Sequence, residues 1–177
     1  MIKNKTIVHQ ITFAQIGGVQ NSFIPLHKLF RQKSKYSHLI FGSHKVIPHY
    51  VEIEKYYSNF GLSLFKKLKF IYFLISKKYI VHFYNTLISK NIYLLFKFLP
   101  VNNIIIHERG SSWNSKNSDI KIAKYLSTKS SLILANSFAS KAFLVERFNL
   151  KQDKIQVLHN GFLTKDFMVK QNENNKN

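Results

Sequence analysis

Short, continuously apolar runs recur along the chain, separated by stretches with helical spacing. The runs are TIVHQITFA (6–14), SHLIFG (37–42), YIVHFY (79–84), NIIIH (103–107), SLILA (131–135) and KIQVL (154–158). Strict alternation of apolar and polar positions would mark strands wetted on one face. Most of these runs lack it, which predicts strands covered on both faces and paired in parallel. After Gly18, the residues Val19, Phe23, Leu26 and Phe30 fall at intervals of four, three and four, one face of a helix ending near Lys33 and Lys35. Further helices are predicted over 61–78, over 86–98 ahead of Pro100, over about 119–129, and along SFASKAFLVERF, where Ser137 is a good N-cap. The alternation predicts an α/β fold, a Rossmann-like three-layer domain with a mainly parallel sheet. The core pattern stops near Asn160-Gly161-Phe162, so one domain is expected over 1–167 and a disordered polar tail over 168–177.

Composition fits a single domain: 177 residues are enough for one α/β core, and a hydrophobic share of 45% excludes a disordered chain. The charge is lopsided, with 27 Lys+Arg against 8 Asp+Glu and a formal net charge of +19. Such a field attracts phosphates on nucleic acid, anionic lipid or a small diphosphate alike, and compositional bias toward Lys and Asn is an equally open source of it. There is no cysteine, which removes disulfides and thiolate zinc sites. His9, Gln10, Thr12 and Gln15 interrupt the apolar stretch after the basic start, so no export signal is expected. No run reaches the roughly 18 to 20 apolar residues of a membrane span.

Candidate chemistry gathers at the ends of the apolar runs. Gly17-Gly18, between the first strand and its helix, lets a ligand approach the backbone where unpaired amides and the positive helix end meet it; a plain tight turn is the competing reading. In IIIHERGSSWN (104–114), His107, Glu108 and Arg109 lie at the carboxyl end of a strand, where α/β sheets bind ligands, or form a surface loop with a local ion pair. HERG is not HExxH, so no metal site is expected. Asn136 and Ser137 open a helix, where a cap alone accounts for the serine, and Asn160-Gly161 reads as a turn pair. His44 and His49 have no partners at ligand spacing and are expected to be structural or exposed. Over 61–78, Leu64, Leu68, Ile71, Tyr72 and Ile75 share one face; Lys66, Lys69 and Lys77 lie on the other with Phe70 and Phe73 among them. That second face is expected either to contact an anionic membrane surface or to pack on a neighbouring segment. No Walker motif, GxGxxG, GxSxG or RNA-recognition signature is present.

Taken in order, QIGGVQNSF, IVHFYN, IIIHERGSSWN and LILANSFASKAFLVERFNLKQDKIQVLHNGFLTKDF resemble the N-terminal domain of family 4 glycosyltransferases, which have the GT-B fold. The resemblance covers about residues 6–167 and implies half of an enzyme. In that family two Rossmann-like domains face each other across a cleft; the second binds most of the nucleotide-sugar donor, and the first supplies the acceptor site. The resemblance places Gly17 and Gly18 beside the donor phosphates and sugar, with His82 and Asn85 near the acceptor. Glu108, Asn136, Ser137, Asn160 and Gly161 would line the cleft. The family's catalytic histidine position falls on His107 or, two residues on, Arg109. The family's second domain, with its paired glutamates, is absent from the sequence, so this chain alone is expected not to transfer sugar. The implied parent reaction retains anomeric configuration on a surface polysaccharide, lipopolysaccharide or glycolipid acceptor, with no cofactor and no specific nucleic-acid partner. The expected location is cytoplasmic, peripheral on the inner face of the membrane. The alternative class is a basic, non-catalytic membrane-surface or nucleic-acid-binding domain.

Overall fold

The computed structural model describes residues 5–61, 63–84, 87–109 and 115–159. Its strands are β1 (Thr6–Gln10), β2 (Ser37–Gly42), β3 (Tyr57–Asn59), β4 (Tyr79–Phe83), β5 (Ile104–Glu108), β6 (Leu132–Ala135) and β7 (Ile155–Val157). The helices are α1 (Gly18–Lys33), α2 (Val51–Glu54), α3 (Leu64–Ile75), α4 (Lys90–Phe98), α5 (Asn117–Lys129) and α6 (Phe138–Phe148). The seven strands form one sheet in the order β3-β2-β1-β4-β5-β6-β7, and every pairing is parallel. The expected α/β, Rossmann-like architecture is therefore the observed one.

Strand pleating sends alternate residues to opposite layers. Val8, Phe41, Val81, Phe83, Ile104, Ile106, Ile133 and Ala135 form the larger core with side chains from α3, α4, α5 and α6. The opposite face carries a smaller core around Ile11, Phe13, Phe23, Ile40, Tyr50 and Ile53, capped by α1 and α2. All residues in the latter group are nearly inaccessible, so α1 is fixed firmly over β1 and β2.

Three features depart from the sequence expectations. The first apolar run leaves the sheet after Gln10, and Ile11 and Phe13 instead turn into the small core. The short edge strand β3 is too polar and brief for its pattern to announce it, and it exists because Tyr57–Asn59 pair with Ile40–Gly42. On α3 the two faces are exchanged. Phe70 and Phe73 are 5% and 2% exposed, whereas Leu64, Leu68 and Tyr72 are 73%, 57% and 51% exposed. Phe70 and Phe73 are therefore core residues and do not belong to an outward membrane-contact face. Two apolar stripes share this helix, and the stripe of Phe70, Phe73 and Leu74 wins because their bulk packs against Phe41, Phe60, Tyr79 and Phe83. Lys66, Lys69 and Lys77 remain exposed, as expected. Among the described residues no helix is long and apolar enough to cross a membrane.

Candidate functional site

The strand order reverses at β1. Connections from β1 run toward β3 on one side, and those from β4 run toward β7 on the other. The loops following β1 and β4 therefore diverge and leave a crevice at the carboxyl edge, the usual ligand position of an open parallel sheet.

On one side of the crevice is the β1–α1 loop. Gln20 Nε2 donates to the Thr12 carbonyl at 2.8 Å, the Gly17 amide donates to Tyr50 Oη at 3.4 Å, and Tyr50 Oη donates to Asn21 Oδ1 at 2.6 Å. These bonds hold the loop without occupying the helix end. α1 has no side-chain cap and no acidic residue in its first turn, and its first helical bond runs from Asn21 N to the Gly17 carbonyl. The amides ahead of that bond keep their donor capacity. A Cβ at Gly18 would meet nothing within 4 Å, and one at Gly17 would meet only the flexible end of Gln20, at 2.7 Å. At Gly42, by contrast, a Cβ would lie 2.4 Å from the Ile11 carbonyl oxygen, so packing demands that glycine. Nothing in the packing of the protein itself demands Gly18, whereas a side chain at Gly17 would displace the Gln20 amide that holds the loop to Thr12.

The floor comes from β4 and β5. His82 and His107 stack with ring centroids 5.6 Å apart, and Tyr84 lies over both, 4.2 Å from His82 and 5.7 Å from His107. Both ring nitrogens of His107, and Nε2 of His82, are buried without a hydrogen-bond partner in the structure. Burial, followed by the charge of Arg109, pulls His107 down to about 4. Burial, then His9, His107 and Arg109, holds His82 well below the usual histidine range. Both rings are accordingly neutral at pH 7, each able to donate one hydrogen bond and accept another. Arg109, half-buried just beyond β5, reaches across to α1 and donates to Ser22 Oγ at 2.8 Å. Burial lowers its pKa from the usual arginine value without discharging it.

The relay beneath Tyr84 continues away from the crevice. Tyr84 Oη lies 3.2 Å from His9 Nδ1, His9 Nε2 lies 2.8 Å from His38 Nδ1, and His38 Nε2 lies 2.7 Å from Ser34 Oγ. His9 is pulled down to about 3 by burial, then by His38 and His27. Phe30 stacks on His38, and Phe23 meets both His9 and Tyr84 edge-on. An aromatic and imidazole layer thus cements α1 to the sheet directly behind the site.

The structure brings Gly17, Gly18, His82, His107 and Arg109 to one crevice. Glu108 points into the opposite layer, where its Oε2 accepts from the Leu87 amide at 2.8 Å. Its buried carboxylate thus shapes the loop after β4 and does not line the crevice. Ser137 spends its hydroxyl as the cap of α6, accepting from the Ser140 amide at 3.0 Å, while Asn136 sits half-buried beside it at the same sheet edge. Asn85, Asn160 and Gly161 lie outside the described residues, as does the expected polar tail. His44 bonds Ser43 Oγ, and His49 is exposed. Sequence reasoning missed Tyr84, His9 and His38. The available signal was the repeated histidine inside apolar strands, in TIVHQ, YIVHF and IIIHE, with His9 and His82 directly paired across the sheet.

No family model matches the sequence, and no curated protein matches it. Solved structures do match the fold. A glycosyltransferase from Rickettsia africae superposes with a TM-score of 0.66 at 21% identity, covering 93% of this chain and 45% of that one. HepE from Anabaena in complex with UDP-glucose matches with a TM-score of 0.64 at 17% identity, covering 89% of this chain and 44% of that one. The same protein in complex with UDP matches with a TM-score of 0.62 at 16% identity. This chain therefore spans about 45% of the length of the proteins it resembles in fold.

Proposed function

We propose that this chain is the acceptor-side, N-terminal Rossmann-like domain of a GT-B glycosyltransferase of the family 4 type. One observation carries the reading: the neutral His82–His107 stack, with three ring nitrogens buried and unpartnered, stands beside Arg109, which reaches Ser22, one turn into α1 from the open space at Gly18. Neutral imidazoles that both donate and accept suit sugar hydroxyls, and a guanidinium beside free helix-end amides suits a diphosphate. Support comes from the fold match to a Rickettsia africae glycosyltransferase and to Anabaena HepE, the latter in complex with UDP and with UDP-glucose. In this reading Gly17 and Gly18 approach the donor diphosphate. Arg109 offsets charge developing on the leaving phosphate, and His107 orients the reacting hydroxyl with His82 behind it. Asn136 lines the far side of the acceptor groove, and Glu108 and Ser137 position their loops. Asn85, Asn160 and Gly161 are assigned to the cleft by the sequence resemblance alone. The acceptor is a surface polysaccharide or glycolipid, and transfer requires a second, donor-holding wall, so the chain alone does not turn over.

The test is a titration of the protein with UDP-glucose followed by amide and histidine NMR. Weak binding that shifts Gly17, Gly18 and the His107 ring together, and is reduced by Arg109→Gln, supports the reading. Shifts scattered over surface lysines, unchanged by Arg109→Gln, refute it, and so does sugar transfer by the purified chain unaided.

A second reading concerns attachment to a bilayer and rests on α3. Its outward face presents Leu64, Phe65, Leu68 and Tyr72 among Lys66, Lys67 and Lys69, and no acidic residue occurs between Glu54 and Glu108. Apolar side chains amid lysines fit a surface of anionic lipid. Sedimentation with vesicles containing anionic lipid should be abolished by Phe65→Ser with Leu68→Ser. Equal sedimentation of the double variant, or equal binding to neutral vesicles, refutes this contact.

A further inference from the structure

Away from the crevice, α1 and the residues of and after α2 enclose a separate cleft of about 180 Å³, lined by Ile24, His27, Lys28, Arg31, Glu52, Ile53, Lys55 and Tyr56. His27 lies nine positions beyond Gly18, about 14 Å along the helix at roughly 1.5 Å per residue, so the cleft is distinct from the glycine loop.

Its chemistry is one-sided. Tyr56 is flanked by two cations, with the Arg31 guanidinium 4.3 Å and the Lys55 ammonium 5.1 Å from its ring centroid, and Arg31 Nη1 donates to the Tyr56 hydroxyl. Lys28 is the third cation. The carboxylate lining the cleft, Glu52, is engaged by it at 3.0 Å. At the inner end sits His27, 4% exposed, with its ring centroid 5.0 Å from that of Tyr56 and neither ring nitrogen hydrogen-bonded. A buried imidazole without partners has lost its water contacts, and a bound acceptor would replace one of them. Burial, followed by Arg31 and His38, lowers the His27 pKa, so the ring enters as a neutral donor. The available donors then comprise the remaining guanidinium N–H groups, two ammonium groups, the Tyr56 hydroxyl and one imidazole N–H. Several donors converging from different directions match an anion with oxygens distributed around a centre better than a flat carboxylate with two. At about 30 Å³ per water, the cleft has room for a phosphate with a small substituent.

We propose that this cleft is a phosphate-group site, separate from the crevice, in which Arg31, Lys55 and His27 hold a small phosphate monoester or free phosphate. The site is independent of the glycosyltransferase reading: it stands on α1, α2 and the two residues that follow α2.

The test is a titration with inorganic phosphate at pH 7 and constant ionic strength, reading the His27 ring ¹⁵N signals. A parallel titration with glucose 1-phosphate separates a preference for the free ion from one for a phosphorylated sugar. Saturable displacement of the His27 signals is expected. Arg31→Gln should weaken binding about tenfold or more, the loss of a charge-assisted contact. Removing more charge elsewhere, by Lys66, Lys67 and Lys69→Gln on α3, should change it less than about twofold. Thermal melts of each variant guard against misfolding. The proposal fails if the His27 signals do not move, if the shifts do not saturate, or if the α3 triple variant weakens binding as much as Arg31→Gln. Any of these would mean an adventitious ion drawn by the net charge only.

Discussion

Acidification should unfold this domain sooner than its carboxylates alone would, because protons must enter a layer built for neutral imidazole. His9 and His107, 1% and 3% exposed, have pKa values of about 3 and about 4, against 6.5 for the exposed ring. In the unfolded chain both rings titrate near 6.5, so below that pH the unfolded state binds protons that the folded state refuses. Stability is then fully retained above 6.5 and declines as pH falls toward 4, with a slope set by the difference in bound protons. At pH 5.5 each ring contributes a loss of about 1.4 kcal/mol, together about 3 kcal/mol; by pH 4.5 the pair accounts for about 5 kcal/mol. That is comparable with the low end of whole-domain stability. His82, His27 and His38, all lowered first by burial, act in the same direction. Urea denaturation followed by circular dichroism at fixed ionic strength from pH 7.5 to 4.5 measures the loss directly. His107→Gln should remove about 1.4 kcal/mol of the decline at pH 5.5, the share of one ring. If stability at pH 5.5 matches that at pH 7.5 to within about 1 kcal/mol, the layer is not buried as described and the reasoning fails.

Three further outcomes follow from individual contacts. Arg109 beside Tyr84 should turn the phenol proton toward His9, making both His9 and His38 Nε2–H tautomers; their ¹⁵N shifts report this, and an Nδ1–H His9 contradicts it. Phe73→Ala should cost about 3–5 kcal/mol in a chemical melt, whereas Leu64→Ser should stay within about 0.5 kcal/mol; equal effects would restore the opposite face of α3 to the core. Gly42→Ala should destabilise strongly because its methyl meets the Ile11 carbonyl. Gly18→Ala should leave the melt nearly unchanged while weakening UDP-glucose shifts, so a large loss of stability at Gly18 would show that packing requires it after all.

The sequence by itself determined the alternation of elements, the parallel sheet and the edge at which the site lies. Those follow from local rules: unbroken apolar runs need cover on both faces, and the chain direction places each strand's carboxyl end beside the next loop. It also placed His107, Arg109 and the two glycines, because each stands at a strand or helix boundary that the pattern marks. Tertiary structure decided what no spacing along one segment encodes. Which stripe of α3 turned inward depended on the size of the space over Phe41 and Phe83. Whether Glu108 faced the crevice or the opposite layer depended on a backbone amide 21 residues away. The imidazole layer required β1, β2, β4, β5 and α1 to arrive at one place, since His9, His38, His82, His107 and His27 become neighbours only through strand register and the packing of one helix. A chain pattern reports periodicity, while burial and charge environment are properties of several segments at once.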